Sequence, residues 1–208
     1  MAKEGKRLKE SRKQLDAEKV YPLSDAAELI STLPKAKFDE SVDLAIKLGV
    51  DPRKAEENVR GTVALPHGTG KTTRVAAFCQ GEKAKEAEEA GADVVGADDL
   101  AEKIKEGFLD FDVVVAAPDV MAQVGKIGKI LGPRGLMPNP KVGTVTADIG
   151  KAIKAIKAGR VEYRVEKNGI VHVAAGRASF GKEKISDNIQ TVLESLVKAK
   201  PKTSKGTY

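Results

Sequence analysis

The chain has 208 residues, a net charge of +6 and 41% apolar residues, enough to bury one large core or two small ones. Its 32% charged residues exceed the usual quarter, no apolar run approaches a membrane span, and no apolar stretch follows the basic N-terminus as in a signal peptide. A single cysteine excludes an intrachain disulfide and any multi-thiolate zinc site, and the absence of Trp, with only five Phe and three Tyr, excludes a broad aromatic base-stacking platform, so a soluble cytoplasmic protein is expected.

Residues 1–19 are polar and read as frayed helix or disordered chain. Ser24 is placed to cap a helix to about Leu33, with Ala26, Ala27, Leu29, Ile30 and Leu33 on its apolar face and Pro34 as its stop. Residues 41–48 alternate, with Val42, Leu44, Ile46 and Leu48 on one side, the mark of a half-buried strand. A polar stretch, 51–58, leads to a second short strand, 61–65, and Pro66-His67-Gly68-Thr69-Gly70 breaks regular structure.

The pattern then changes. Residues 74–79, 93–95 and 112–117 are short unalternated apolar runs, separated by helical segments at 82–90, ended by Gly91, and 98–106, begun by Asp98. This is the mark of parallel βαβ units covered on both faces. Asp119 reads as the cap of a short helix from Val120, and 125–143 as a long Gly/Pro/Lys loop. A helix over 148–158, capped by Asp148 and stopped by Gly159, returns the chain to alternation: 161–166 and 170–173 flank Lys167-Asn168-Gly169, a hairpin signal. A last helix starts at Ser186 or Asp187 and runs to about Lys198.

Alternating, then buried, then alternating strands imply an α/β chain in which a three-layer, Rossmann-like domain is inserted into a two-layer α+β domain built from both chain ends. The expected boundaries are 1–67 plus 159–208 for the discontinuous domain and 68–158 for the insert, with a hinge near 66–70 and 158–160.

Charge is segregated along the chain. Residues 198–208 carry four Lys and no acid, residues 81–119 carry four Lys against twelve acids, and residues 120–167 carry ten Lys/Arg against three acids. Basic tails with a basic internal stretch suit a polyanion, most often nucleic acid, though Lys-rich tails also serve solubility alone.

His67-Gly68-Thr69-Gly70-Lys71-Thr72 resembles the end of a phosphate-binding loop. The full motif needs Gly where Leu65 stands, and a helix after the loop where a strand is expected. A Gly-rich hinge is the simpler reading; a nucleotide-binding enzyme with a degenerate phosphate loop is the alternative. His67 and His172 lie far apart, the paired aspartates sit at element starts where capping explains them, and no metal-ligand spacing occurs. Neither catalytic residue, metal, cofactor nor small-molecule substrate is expected. On the Gly/Pro-rich segment, Lys126, Lys129, Arg134 and Lys141 stand as fixed cations suited to phosphate contacts. Phe38, between Lys37 and Asp39 before the first alternating strand, suits stacking on a base if exposed and core capping if buried; the sequence leaves both open.

Several segments together carry a resemblance. Lys37-Phe38-Asp39-Glu40-Ser41-Val42, Gly49-Val50-Asp51-Pro52-Arg53-Lys54, the run Asn58 to Lys71, Pro118-Asp119-Val120-Met121, and the run Gly132-Pro133-Arg134-Gly135-Leu136-Met137-Pro138-Asn139-Pro140-Lys141 are similar to the family of the large-subunit ribosomal protein number one, the protein of the mobile stalk, in its bacterial form. The resemblance covers about residues 5–208. It implies two hinged domains, binding to the stalk helices of 23S ribosomal RNA through the discontinuous domain, contact with exit-site tRNA and help in its release, and repression of its own operon by binding the messenger. It carries rRNA binding to Lys37, Phe38, Glu40, Lys167 and Asn168. Arg53, Lys54 and Arg60 become candidates for the tRNA side, joined by Lys126, Lys129, Arg134 and Lys141 for tRNA or a second RNA. It implies a ribosome-bound protein with no membrane partner. Family members continue beyond Gly206-Thr207-Tyr208 with a final strand and a Thr-Met-Gly segment of the RNA site, so either the chain is cut short at residue 208 or that part of the site is missing here.

Overall fold

The structure, a computed structural model, describes residues 5–16, 18–33, 36–201 and 204. The expectations for Pro34 and for the last four residues lie outside them. The elements in chain order are α1 (Lys6–Gln14), α2 (Leu23–Thr32), β1 (Ser41–Lys47), β2 (Arg60–Ala64), β3 (Val75–Phe78), α3 (Glu82–Glu89), β4 (Val94–Gly96), α4 (Asp98–Lys105), β5 (Val113–Ala116), α5 (Met121–Lys126), α6 (Gly128–Leu131), α7 (Ile149–Lys157), β6 (Arg160–Arg164), β7 (Ile170–Arg177) and α8 (Gly181–Lys198), with short 3-10 turns between some of them. The chain is mixed α/β.

It divides into two compact units: 1–59 with 65–70 and 163–208, and 60–64 with 71–162. In the first unit β1 and β7 pair antiparallel, from Ser41 opposite Arg177 to Lys47 opposite Ile170, with a bulge between Val42 and Asp43. Along β1 exposed and half-buried residues alternate strictly, as the spacing of Val42, Leu44 and Ile46 predicts. The inward side packs on α2 and α8, around Ala27, Ala175, Ile185 and Ile189.

Among the described residues of this unit, one polar side chain is fully buried. Asn188 of α8 donates to the carbonyls of Gly68 (3.0 Å) and Ala175 (2.7 Å) and accepts from the His67 N–H (3.2 Å), so it ties residues 67–68 to β7. His67 also reaches Asp187 at 2.9 Å.

The second unit is built on a parallel sheet of order β4-β3-β5. Every residue of β3 is buried, which is why its sequence shows no alternation. The crossover from β3 to β4 runs one way and that from β4 to β5 runs back, so right-handed connections put α3 and α4 on opposite faces. The packing agrees: α3 lies against α7, and α4 against α5. Phe78, Leu100, Ile104, Val114, Ile127, Leu131, Ile149 and Ile153 form the core.

Several local expectations are corrected. The 125–143 segment is not irregular throughout: α5 and α6 carry the helix path to Leu131, because Val124, Ile127 and Leu131 recur at helical spacing and are all buried. Strands β6 and β7 do not form a long hairpin. Just past β6, Val165 forms one bridge with Val171, while β6 itself pairs with β2 and β7 with β1. Helix α8 begins at Gly181, five residues before Ser186; of the two readings for residues 1–19, the helical one holds at 6–14. Four expected caps are not caps. Ser24 bonds Asp25, Asp98 accepts from Gln123, Asp119 pairs with Lys83, and Asp148 pairs with Lys151. At α4 the neighbouring Asp99 accepts from the Ala97 N–H instead (2.8 Å).

Candidate nucleic-acid interface

The turn before β1 is pinned on both sides of Phe38. The Asp39 carboxylate accepts from the Ser179 N–H (3.1 Å) and hydroxyl (2.7 Å), and its carbonyl accepts from Arg177 (3.3 Å). Glu40 accepts from Arg7 (2.5 Å) and from the Ala36 N–H (3.1 Å), while its carbonyl accepts from Ala178 N–H (2.9 Å). The Arg7 guanidinium and then the Ala36 N–H hold the Glu40 carboxyl below the usual carboxylate range. With residues 39 and 40 fixed in this way, Phe38 stands out, 72% exposed, beside an exposed Lys37. Of the two readings the sequence leaves open for Phe38, the inward core cap is ruled out.

At the other end of β1 lies the 166–169 turn. The Gly169 N–H donates to Glu166 O (3.0 Å), Glu166 N–H to Ile170 O (2.8 Å), and Leu48 N–H to Gly169 O (2.8 Å). Gly169 has φ +75°, and a Cβ there would sit 3.2 Å from the Val50 carbonyl, so glycine is required. Asn168 does not have positive φ. The loop is therefore the three-residue hairpin type closed by a left-handed glycine, not the two-residue Asn-Gly turn. Its locked base leaves Lys167 and Asn168 exposed. The two candidate groups thus flank β1 at opposite ends, about 20 Å apart at the strand rise of about 3.3 Å per residue. Between them Ser41, Asp43, Ala45 and Lys47 are exposed, with His172 opposite Ala45.

The remaining candidates sit elsewhere. Lys54 pairs with Glu57 (2.9 Å), which also accepts from the Asp51 N–H (2.8 Å). That N–H, then Lys54, lowers the Glu57 pKa, and the bond to Glu57 raises that of Lys54. Arg53 is exposed on the same turn. In the second unit, Arg60 forks onto Glu162 through Nε (2.8 Å) and Nη2 (2.6 Å). Lys126 ends α5, Lys129 lies in α6, Arg134 follows it, and Lys141 lies in a 3-10 turn capped by Asn139, whose side chain accepts from the Lys141 N–H. These four side chains are exposed, and among the described residues none joins an ion pair. Arg160 holds the end of that turn by donating to Val142 O (2.9 Å) and Thr62 Oγ1 (2.8 Å). Gly143, at φ +74°, gives its guanidinium room: a Cβ would lie 3.0 Å from it.

No local pattern in the sequence singles out Arg7, Arg177, Ser179 or Asn188. Their partners are 13 to 140 residues away, beyond the reach of any such pattern. Lys71 pairs with Asp112 (2.7 Å), and β3, not a helix, follows the Gly68–Gly70 loop. The loop therefore lacks the helix N-terminus that a phosphate-binding loop needs. Among the described residues no group of His, Cys, Asp or Glu is placed to hold a metal, and no helix is long and apolar enough to cross a membrane.

Fold and surface together define a basic α/β protein whose exposed groups suit a polyanion and whose acids serve structure. The chain belongs to the Ribosomal protein L1p/L10e family, whose profile matches residues 29–208. It is 58% identical to the large ribosomal subunit protein uL1 of Solidesulfovibrio magneticus over 208 residues, all of this chain and 88% of that relative. Membership makes it a structural protein of the large ribosomal subunit, working in translation and not an enzyme, with ribosomal RNA as the ligand the family implies.

Proposed function

We propose that this chain binds the stalk helices of 23S rRNA along the outer face of the β1–β7 ribbon, with Lys37 and Phe38, positioned by Glu40, at one end and Lys167 and Asn168 at the other. The observation that carries the reading is the doubly pinned turn that keeps Phe38 exposed next to Lys37. Leaving a Phe in water has no folding benefit, whereas stacking on an unpaired base does. The separation of about 20 Å between the groups, from the strand rise, matches recognition of a folded RNA by shape, 2′-OH and phosphate rather than by a single base pocket.

The same reading makes residues 1–67 with 159–208 the discontinuous two-layer rRNA-binding domain and 68–158 an inserted three-layer, Rossmann-like domain, hinged near 66–70 and 158–160. Exit-site tRNA is a second ligand, met by Arg53, Lys54 and Arg60 or by Lys126, Lys129, Arg134 and Lys141. The unpaired state of the last four favours them, since Lys54 and Arg60 would have to exchange an acid for a phosphate. By helping to release that tRNA the chain acts in elongation. A messenger from its own operon that folds like the rRNA site competes for the β1–β7 face, which gives repression. Titrating the chain with a stalk rRNA fragment over a salt series tests the reading. Expected are a steep salt dependence and a clear preference over random duplex; loss of either refutes it. Competition of the operon leader against the rRNA fragment tests the repressor role.

A further inference from the structure

We infer that α1 is a second RNA-contacting element, laying Lys6, Lys9 and Lys13 on phosphates next to the base stacked at Phe38 and held in place by the Arg7–Glu40 ion pair. The inference rests on the β1–β7 reading and extends it. At 100° per residue, Lys6, Lys9 and Lys13 fall within an arc of about 60°, while Arg7, Leu8 and Ser11 centre about 180° away. Those three line an open groove with Leu15, Ile30, Leu33, Glu40 and Val42. The helix thus turns one side to the first unit and a stripe of lysines to solvent.

The N-terminal part of that stripe works against the helix. No residue of α1 is buried, its first turn holds no acid, and no side chain caps it. Lys6 and Arg7 therefore sit at the positive end of the helix dipole with Lys9 at i+3 from Lys6, whereas Lys13 lies in the last turn, where the dipole favours a cation, and Glu10 stands at i+4 from Lys6. A nine-residue helix is too short to be stable alone, so its hold is the contact at Arg7 and the groove. Cations retained at such positions are explained by a polyanion that meets them. The stripe is about 10 Å long by helix rise, a reach of two or three phosphates. Glu40 ties the elements together: one oxygen takes Arg7 of α1, the other closes the 36–40 turn. Glu40 is thus a positioning residue.

The test is binding of the full chain to a synthetic stalk fragment of 23S rRNA over a salt series. The variant Lys6→Gln, Lys9→Gln, Lys13→Gln keeps helix propensity and touches no buried group. It is expected to flatten the log–log salt slope by about 2–3 and to weaken binding about tenfold or more at low salt. Phe38→Ala is expected to weaken binding with the slope unchanged. A triple variant with the native slope, beside a weakened Phe38→Ala, overturns the inference and leaves the β1–β7 reading standing. A native Phe38→Ala overturns both, whatever the triple variant does. Glu40→Gln gives an opposite-sign check. Removing an acid beside a polyanion should tighten binding by charge alone, whereas losing the tether should weaken it and flatten the slope. Tighter binding of Glu40→Gln overturns the tether.

Discussion

Asn188→Leu should destabilise the first unit far more than its size change suggests. The native amide is fully buried and satisfies three backbone groups: the carbonyls of Gly68 and Ala175 and the N–H of His67. Leucine fills a similar volume and satisfies none. Each abandoned group costs about 1–3 kcal/mol, offset by the gain from burying an apolar side chain, so the net loss is about 3 kcal/mol. Asn188→Ala makes the instructive contrast. It opens a void bordered by one donor and two acceptors, the set of partners an internal water needs, so a water can restore part of the loss and the cost falls to about 1–2 kcal/mol. For a unit of about a hundred residues, about 4 °C per kcal/mol converts these to drops of about 12 °C and 4–8 °C. Calorimetry gives the size of the effect. Amide hydrogen exchange gives its place, with protection lost around 65–70, 175 and 185–192 and kept in β3, β4 and β5. A leucine variant that melts within about 3 °C of the native chain, or that is no worse than the alanine variant, refutes the reasoning.

Phe38→Ala should leave the melting temperature unchanged and weaken rRNA binding by about 5- to 150-fold, the value of one stacked base at about 1–3 kcal/mol; titration with the rRNA fragment checks it. Lys71→Ala should neither create nor abolish nucleotide hydrolysis, and should cost the second unit no more than about 1 kcal/mol in urea unfolding, since its partner bond is partly exposed. Acid should loosen the second unit through its aspartates. The Val75 N–H lowers the Asp93 pKa, the Ala97 N–H that of Asp99, and the Lys71 ammonium that of Asp112. Folded values below unfolded ones mean stability that is full above the ordinary Asp value of about 4 and is lost as pH falls through the folded values. Urea unfolding between pH 2 and 6 should show that loss, and Asp112→Asn should be less stable at neutral pH with a shallower acid limb.

What was legible in the sequence follows from how local each cause is. Strand β1 was readable because its alternation is its burial pattern, and β3 and β5 because strands covered on both faces need no polar residue. Gly91 and Gly159 marked helix ends because their positive φ is a local need. The caps failed for the opposite reason. A cap depends on how the chain enters the helix, and at Asp98 and Asp119 the carboxylates found partners 25 and 36 residues away. The helix path to Leu131 was hidden by Gly125 and Gly128, each costing about 1 kcal/mol against alanine, a penalty that burying Val124, Ile127 and Leu131 outweighs. At the candidate interface the motif around Phe38 was visible, but Ser179, Arg177 and Arg7 were not, because only the tertiary fold brings them there.

Charge shows the same logic at larger scale. Along the sequence an acidic block, 81–119, stands against a basic one, 120–167. In the fold both lie largely within one unit, where one ion pair, Lys157 with Asp93, joins the two blocks and several other acids of the first are met by other groups. Lys157 pairs with Asp93 and Lys83 with Asp119, Arg74 with Asp110, and Glu86 accepts from the Gly150 N–H at the start of α7. Exposed pairs of this kind contribute little stability each, so their main effect is to cancel field. Cations outside such pairs keep theirs. Lys126, Lys129, Arg134 and Lys141 on one unit, and Lys37 and Lys167 on the other, are in that state among the described residues, whereas Lys54 and Arg60 are not. A phosphate meeting an unpaired lysine releases counterions at no cost in broken ion pairs. Salt dependence of RNA binding is therefore expected to follow the unpaired set, and to respond far less to Lys54 or Arg60 than their motif membership suggests.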